Sequence, residues 1–160
     1  MWISYKKEGD GFQCDAICWD GYTYSFFMRN MPALKKYLDK GLSPLHAHCL
    51  FLLDQVKDKF NIYGVDNLYT SAKFFREAYT GKNQILCHGV ARKSEQGIPK
   101  CVIQEEPKRK SDQDKMRGTT KAAVLTDDPE VPELFAFSVY DAKPVHFLSM
   151  ACTGLKWIEK

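Results

Sequence analysis

The heptapeptide Val65-Asp66-Asn67-Leu68-Tyr69-Thr70-Ser71 joins a short apolar strand, predicted at 61–65, to a helix predicted from about Ser71 to Tyr79. It places the carboxylate of Asp66 at the end of a strand. Strand ends form the rim of an α/β sheet, where ligands collect. Gly81 follows the predicted helix and ends it in the usual way. This order of strand, acidic turn and helix predicts an α/β fold with a candidate site at Asp66.

A second acid, Asp15, lies within the apolar stretch Phe12-Gln13-Cys14-Asp15-Ala16-Ile17. Residues 12–19 and 22–29 read as two strands, and Asp20-Gly21 between them is a strong hairpin signal. A buried carboxylate without a partner is costly, so Asp15 needs a reason to be there. If its strand neighbours that of Asp66, both can ligate magnesium or manganese through oxygen. Alternatively, Asp15 hydrogen-bonds the hairpin, and Asp66-Asn67 caps the next helix or forms an Asx turn.

The rest of the chain alternates strand and helix signals. Ser43 is a candidate N-cap with Pro44 at the first helical position, and apolar residues then recur on one helical face as far as Phe60. Residues 30–41 read as a connector and 106–120 as an exposed loop of basic and acidic residues. Further strands are predicted at 84–92, 100–105, 121–125, 134–140 and 145–150. The order predicts a mixed sheet with helices against it.

Composition predicts one globular domain, residues 1–160. The chain is 44% hydrophobic and 27% charged, and its net charge of +3 is too mild to indicate a nucleic-acid partner. Its six cysteines have no disulfide-scaffold or zinc-finger spacing, and neither a signal peptide nor a membrane span is evident. These features favour a reduced intracellular protein with buried thiols.

Two groups of basic residues are candidate phosphate ligands. Arg92 and Lys93 follow the strand predicted at 84–92, close to the proposed site. Lys108-Arg109-Lys110 begins the loop at 106–120 and is able to follow a DNA backbone. Acidic residues in the same loop reduce its field, so a solvated loop without a ligand is the alternative.

Four stretches of the chain resemble the catalytic core of piggyBac-type transposases. They are the region Gly11 to Asn30, the turn and helix that begin at Val65, the segment Cys87-His88-Gly89-Val90-Ala91-Arg92-Lys93 with Gly97-Ile98-Pro99 after it, and Pro144-Val145-His146-Phe147-Leu148-Ser149. The resemblance extends from residue 11 to about residue 150. The turn after Val65 is its most specific part.

The resemblance implies a ribonuclease H-like mixed sheet with flanking helices and a β-rich insertion after the second helix. It also implies DNA cutting and joining by three aspartates that hold two Mg²⁺ (or Mn²⁺) ions. Asp15 matches the first aspartate and Asp66 the second, which makes them the expected catalytic and metal-binding residues. DNA, in the form of transposon ends, is the implied partner, the implied location is nuclear, and a homodimer is compatible with the family.

The sequence departs from the family pattern at the third aspartate. In the family this residue lies in a Gly-Val-Asp segment beyond the strand matched by 145–150, and no such segment occurs before Lys160. We therefore expect a partial core, incomplete at the C-terminus, that does not cut DNA by itself. The alternatives are a non-enzymatic, domesticated module that binds DNA or protein, and a transposon remnant without a cellular role.

Overall fold

The computed structural model describes residues 11–32, 35–55, 62–125, 131 and 133–151. The chain divides into two compact units, Met1–Lys59 (unit 1) and Phe60–Lys160 (unit 2). Each unit is described by itself. No helix in the described ranges is long and apolar enough to cross a membrane.

Unit 1 begins with the predicted hairpin. Strands β1 (Cys14–Trp19) and β2 (Tyr22–Met28) pair antiparallel, with a bulge between Ile17 and Cys18. The turn residues Asp20 and Gly21 both have positive φ, 47° and 80°. Positive φ at both central positions is the type I′ geometry that matches the twist of a two-residue hairpin, which is why Asp-Gly forms it readily.

Helix α2 of unit 1 packs against both strands of this hairpin, and helix α1 packs against α2. A short helix, α1 (Lys35–Leu38), lies within the predicted connector, and α2 (Pro44–Leu53) follows. Ser43 caps α2 by accepting a hydrogen bond from the His46 N–H at 3.2 Å, as predicted. Phe27 of β2 packs its ring against His48 and Phe51 of α2, at centroid distances of 4.2 and 5.2 Å. The continuation of the helix predicted through Val56 to Phe60 lies outside the described residues.

Unit 2 is built on a five-stranded mixed sheet. Its strands are β3 (Ile62–Val65), β4 (Leu86–Ala91), β5 (Thr120–Leu125), β6 (Leu134–Tyr140) and β7 (Pro144–Ser149). Their order across the sheet is β3-β4-β7-β6-β5, in which β3 and β4 are parallel and all other pairs antiparallel. Helix α3 (Ala72–Thr80) connects β3 to β4 and packs against β4. This confirms the predicted mixed sheet with helices against it.

The core of unit 2 lies between α3 and the sheet. Phe74 and Phe75 of α3 are fully buried, as are Leu134, Tyr140 and Leu148 of the sheet. The length of α3 follows from its caps: Ser71 Oγ accepts from the Phe74 N–H at 3.1 Å, and Gly81 ends the helix as predicted. Burying the two phenylalanines stabilises this unit by roughly 1.5–3 kcal/mol each.

Residues 100–105, here called the strap, differ from the prediction because they form turns and irregular chain instead of a strand. Val102 and Gln104 of the strap are buried, and their backbone groups bond to side chains of the sheet. The Ser138 hydroxyl donates to the Val102 carbonyl oxygen at 2.6 Å, and the Gln104 N–H donates to His146 Nε2 at 3.4 Å. The strap therefore satisfies its polar backbone without a neighbouring strand.

The predicted loop at 106–120 also differs, because it contains a helix, α4 (Lys110–Met116). None of its residues is buried, so the predicted exposure of this segment is observed. With no apolar face to bury, the helix lacks the periodic signal by which a sequence reveals a helix.

Candidate functional site

Asp66 lies directly after β3 and organises the turn that leads into α3. Its Oδ1 accepts a hydrogen bond from the Leu68 N–H at 3.0 Å, the geometry of an Asx turn. Its carbonyl oxygen accepts from the Tyr69 and Thr70 N–H groups at 3.0 and 3.1 Å, and from the Thr70 hydroxyl at 3.1 Å. The turn alternative is thus observed. Asp66 is exposed, and its Oδ2 has no hydrogen-bond partner among the described residues.

Gly89 of β4 lets this turn approach the sheet. Val65 pairs with Gly89 across the parallel strands. A Cβ at position 89 would overlap the Thr70 Oγ1 and the Val65 carbonyl oxygen. Only glycine therefore leaves room for the Asp66 turn at this place. Packing against this turn explains why the Cys87–Lys93 segment has a glycine at position 89.

The Gly97-Ile98-Pro99 turn packs on the first turn of α3. A Cβ at Gly97 would overlap the Ala72 Cβ. Glu95, just before the turn, accepts a hydrogen bond from the Ala72 N–H through its Oε1 at 3.3 Å. Two of the four stretches quoted from the sequence therefore meet in one packed cluster at the start of α3.

Arg92 and Lys93 lie at the same end of the sheet as Asp66, because β3 and β4 are parallel and both residues follow β4. Both are exposed. Lys93 forms an ion pair with Glu105 of the strap, with Nζ 3.1 Å from Oε1. The two cations thus share a sheet end with Asp66, and their closeness to its carboxylate stays a prediction.

The second basic group, Lys108, Arg109 and Lys110, is exposed at the start of α4. Helix α4 is followed by β5, whose first residue is Thr120. Thr120 pairs with Val139, and this pairing places the start of β5 at the same end of the sheet as Asp66. Three strand spacings of about 4.8 Å, or roughly 14 Å, separate β5 from β4, the strand that Arg92 and Lys93 follow. Acidic partners reduce the charge here: Lys115 pairs with Asp112 at 3.4 Å, and Arg117 with Asp141 at 3.3 Å.

Asp15 lies on β1 in unit 1, with only 2% of its side chain exposed. The Nε and Nη2 of Arg29 are 2.7 and 2.6 Å from its Oδ1. His48 Nδ1 is 3.8 Å from its Oδ2. The prediction that Asp15 is a buried carboxylate is confirmed, but the sequence analysis did not identify Arg29 as its cation. The sequence contains no signal for this pairing, because the register depends on the bulge between Ile17 and Cys18. The bulge places Asp15 opposite Phe27, so that Arg29, two residues further along the chain, lies on the same face as Asp15.

The chemistry of Asp15 and Asp66 fits a hard divalent cation in donor type, because both supply carboxylate oxygen. Arg29 contacts Oδ1 of Asp15, and the Leu68 N–H donates to Oδ1 of Asp66. No group of three or more His, Cys, Asp or Glu side chains able to hold a metal occurs within the described ranges. Since the two residues belong to different units, a joint metal site stays a prediction.

The cysteines correct one expectation. Cys87 is buried, and burial raises the pKa of its thiol to about 12. Cys14, Cys18 and Cys101 are exposed, so the expectation of buried thiols was wrong for these three. None of the five described cysteines, which include the partly buried Cys49, forms a disulfide, and Cys152 lies outside the described residues.

The chain is similar in structure to piggyBac transposase, as solved by cryo-electron microscopy in a synaptic complex with hairpin DNA. The TM-score is 0.69 at 19% sequence identity, and the match covers 99% of this chain and 31% of that chain. At this identity the likeness is one of fold, and it confirms the resemblance found in the sequence at that level. The chain thus spans less than a third of the length of that transposase. No protein-family model and no curated protein sequence matches it.

Proposed function

We propose that this chain is a transposase-derived core of the piggyBac type, with a ribonuclease H-like arrangement, that binds DNA at the Asp66 end of its sheet. The observation that carries the proposal is the fold likeness to piggyBac transposase over 99% of the chain. The packed cluster of Asp66, Gly89 and Gly97 supports it, because the residues that carry the sequence resemblance have structural roles there. A nuclear location and a homodimer are part of this proposal.

DNA binding follows from charge at that end of the sheet. Arg92 and Lys93 are exposed at the end of the sheet that carries Asp66, and Lys108, Arg109 and Lys110 begin the helix that leads to the same end. Clustered cations of this kind contact phosphates and make affinity dependent on salt. Three strand spacings, roughly 14 Å, separate β4, which Arg92 and Lys93 follow, from β5, to which helix α4 leads, and this distance allows both groups to reach one duplex.

Asp15 and Asp66 are the proposed ligands of Mg²⁺ or Mn²⁺. When bound, such ions activate the attacking oxygen and stabilise the leaving oxygen in phosphoryl transfer. Asp66 contributes an exposed carboxylate, and Asp15 a buried one that Arg29 compensates. Because these 160 residues carry two of the three aspartates that the resemblance implies, we propose that this polypeptide alone does not cut DNA.

The test is fluorescence anisotropy of a labelled DNA duplex at several salt concentrations. Replacing Arg92 and Lys93 together by glutamine is expected to weaken binding and to reduce the slope of log K against log salt by about 1–2. Lys82→Gln is the matched control, because this exposed lysine lies before β4, at the opposite end of the sheet. Equal binding by all three proteins would contradict the proposed DNA surface. Magnesium-dependent nicking that Asp66→Ala abolishes would contradict the proposed inactivity.

A non-enzymatic binding module is the second candidate. The ion pair between Arg29 and Asp15 favours it, because a compensated carboxylate needs no metal. DNA binding that survives Asp66→Ala and removal of magnesium would support this module. Loss of binding when magnesium is removed would support the enzyme-like site instead.

A further inference from the structure

The guanidinium of Arg29 and the carboxylate of Asp15 form the closest charge contact of the described hairpin. Both Nε and Nη2 approach the same oxygen, Oδ1, at 2.7 and 2.6 Å. We propose that Arg29 is the resident counter-ion of Asp15 and competes there with a divalent cation. The inference rests on the proposed function, since it concerns how the Asp15 part of the metal site is regulated.

Burial explains why Asp15 needs a cation at all times. Its side chain is 2% exposed, and a carboxylate in such surroundings is strongly destabilised unless opposite charge is close. Arg29 supplies that charge in the metal-free protein. The other neighbour, His48, faces Oδ2 from α2 with its ring packed on Phe27, so it borders the carboxylate on the opposite side.

The same charge opposes a metal ion. A divalent cation on the Asp15 carboxylate would lie within a few ångströms of the guanidinium, where like charges repel strongly at low effective dielectric. The carboxylate has one negative charge, which Arg29 already neutralises. Metal binding and the Arg29 contact are therefore mutually antagonistic.

Arg29 is able to leave without disrupting the hairpin. Its side chain is 29% exposed, in contrast to that of Asp15, so solvent is within its reach. Its backbone is held separately, because the Arg29 N–H donates to the Gln13 carbonyl oxygen at 2.9 Å. Withdrawal of the side chain thus leaves β1 and β2 paired and exposes Asp15 to a new cation.

The test is calorimetric titration of the full chain with Mn²⁺ alone, without DNA. Arg29→Gln is expected to bind Mn²⁺ about tenfold more tightly than the wild type, because the repulsion is removed. Arg29→Lys keeps the charge and is expected to show no gain. Adding Asp15→Asn to Arg29→Gln is expected to abolish the gain. A purely structural role of Arg29 would lower stability without raising metal affinity.

The outcomes separate this inference from the proposed function. If Asp15→Asn weakens Mn²⁺ binding but Arg29→Gln does not strengthen it, the competition is wrong and the metal site stands. If neither Asp15→Asn nor Asp66→Asn changes Mn²⁺ binding, the metal site itself fails, and the competition fails with it. A gain in Arg29→Gln that persists when Asp15 is also replaced would overturn the inference too.

A second measurement needs no variant, in case Arg29→Gln does not fold. The Nε–H proton of Arg29 in the wild-type protein is followed by NMR while Mg²⁺ is added. We expect its signal to move from that of a carboxylate-bonded guanidinium to that of a solvated one as the metal binds. An unchanged Arg29 signal at saturating Mg²⁺ would overturn the competition.

Discussion

At the scale of single residues, the candidate site depends on residues whose role is structural. Gly89 and Gly97 provide space, Gly89 for the Asp66 turn and Gly97 for the start of α3. Thr70 and Ser71 tie the turn and the helix by hydroxyl hydrogen bonds to the backbone. The position of the Asp66 carboxylate is therefore set by its neighbours, and replacing them displaces the carboxylate.

Replacing Gly89 by alanine is expected to destabilise the protein by about 1–3 kcal/mol, because the new methyl group meets the Thr70 hydroxyl and the Val65 carbonyl oxygen. The measurement is urea unfolding followed by circular dichroism. Gly64→Ala is the matched control on the neighbouring strand, since its Cβ would lie 3.4 Å from the tip of the His88 side chain, an ordinary contact. Equal stability of the two variants would contradict this account of Gly89.

At the scale of secondary-structure elements, the strap is the clearest case of a segment held by side chains. Gln104 Nε2 donates to the carbonyl oxygens of Thr119 and Ser138 at 3.1 and 3.2 Å, and its Oε1 accepts from the Thr119 hydroxyl at 2.9 Å. His146 Nε2 accepts from the Gln104 N–H, which requires a neutral ring. Protonation of His146 would break this bond.

The strap is therefore expected to make stability depend on pH. Burial of His146, and secondarily the charge of Lys93, lower the pKa of His146 below its usual 6.5. The unfolded chain then binds more protons than the native one as the pH falls below 6.5. The stabilisation is complete above pH 6.5 and is lost as the pH falls through the lowered pKa.

The check is urea unfolding from pH 7.5 to pH 5 for the wild type and for His146→Gln. The variant keeps a neutral acceptor, so its free energy of unfolding is expected to vary less over this range. If both proteins lose stability in parallel, other groups cause the dependence.

At the scale of the whole molecule, unit 1 and unit 2 differ in the size of the sheet and of the buried core that stabilise them. The described part of unit 2 has a five-stranded sheet and its own buried aromatic core, whereas the described part of unit 1 has a two-stranded sheet and two short helices. An isolated two-stranded hairpin is at best marginally stable, and three or more strands with an apolar face are needed for independence. The two units therefore differ in whether each is expected to fold alone.

A polypeptide of residues 60–160 is expected to fold by itself and to unfold cooperatively in urea, with a free energy of unfolding of about 5 kcal/mol or more. Urea denaturation with a dispersed NMR spectrum as the native reference is the measurement. Residues 1–59 serve as the comparison and are expected to unfold without a sharp transition. A broad transition for 60–160 would show that its sheet depends on unit 1.

Local chemistry in the sequence determined a large part of this protein. Asp20-Gly21 set the hairpin, Ser43-Pro44 began α2, and Ser71 and Gly81 bounded α3. Each of these signals acts over a few residues, through allowed φ, caps and turn hydrogen bonds, so no distant partner is needed to read it. The Asp66 turn is also formed by local hydrogen bonds, which is why the sequence of the heptapeptide predicted the candidate site.

Only the tertiary structure decided what depends on residues far apart in the chain. The strap is neither a strand nor a loop without contacts. Its polar groups form hydrogen bonds with Thr119, Ser138 and His146, which lie many residues later in the chain. Asp15 acquired a counter-ion from Arg29, which follows the other strand of the hairpin and is brought opposite by the register of the two strands. Buried polar groups must be satisfied wherever a partner lies, and that partner is fixed by packing and strand register, which periodicity along the sequence does not encode.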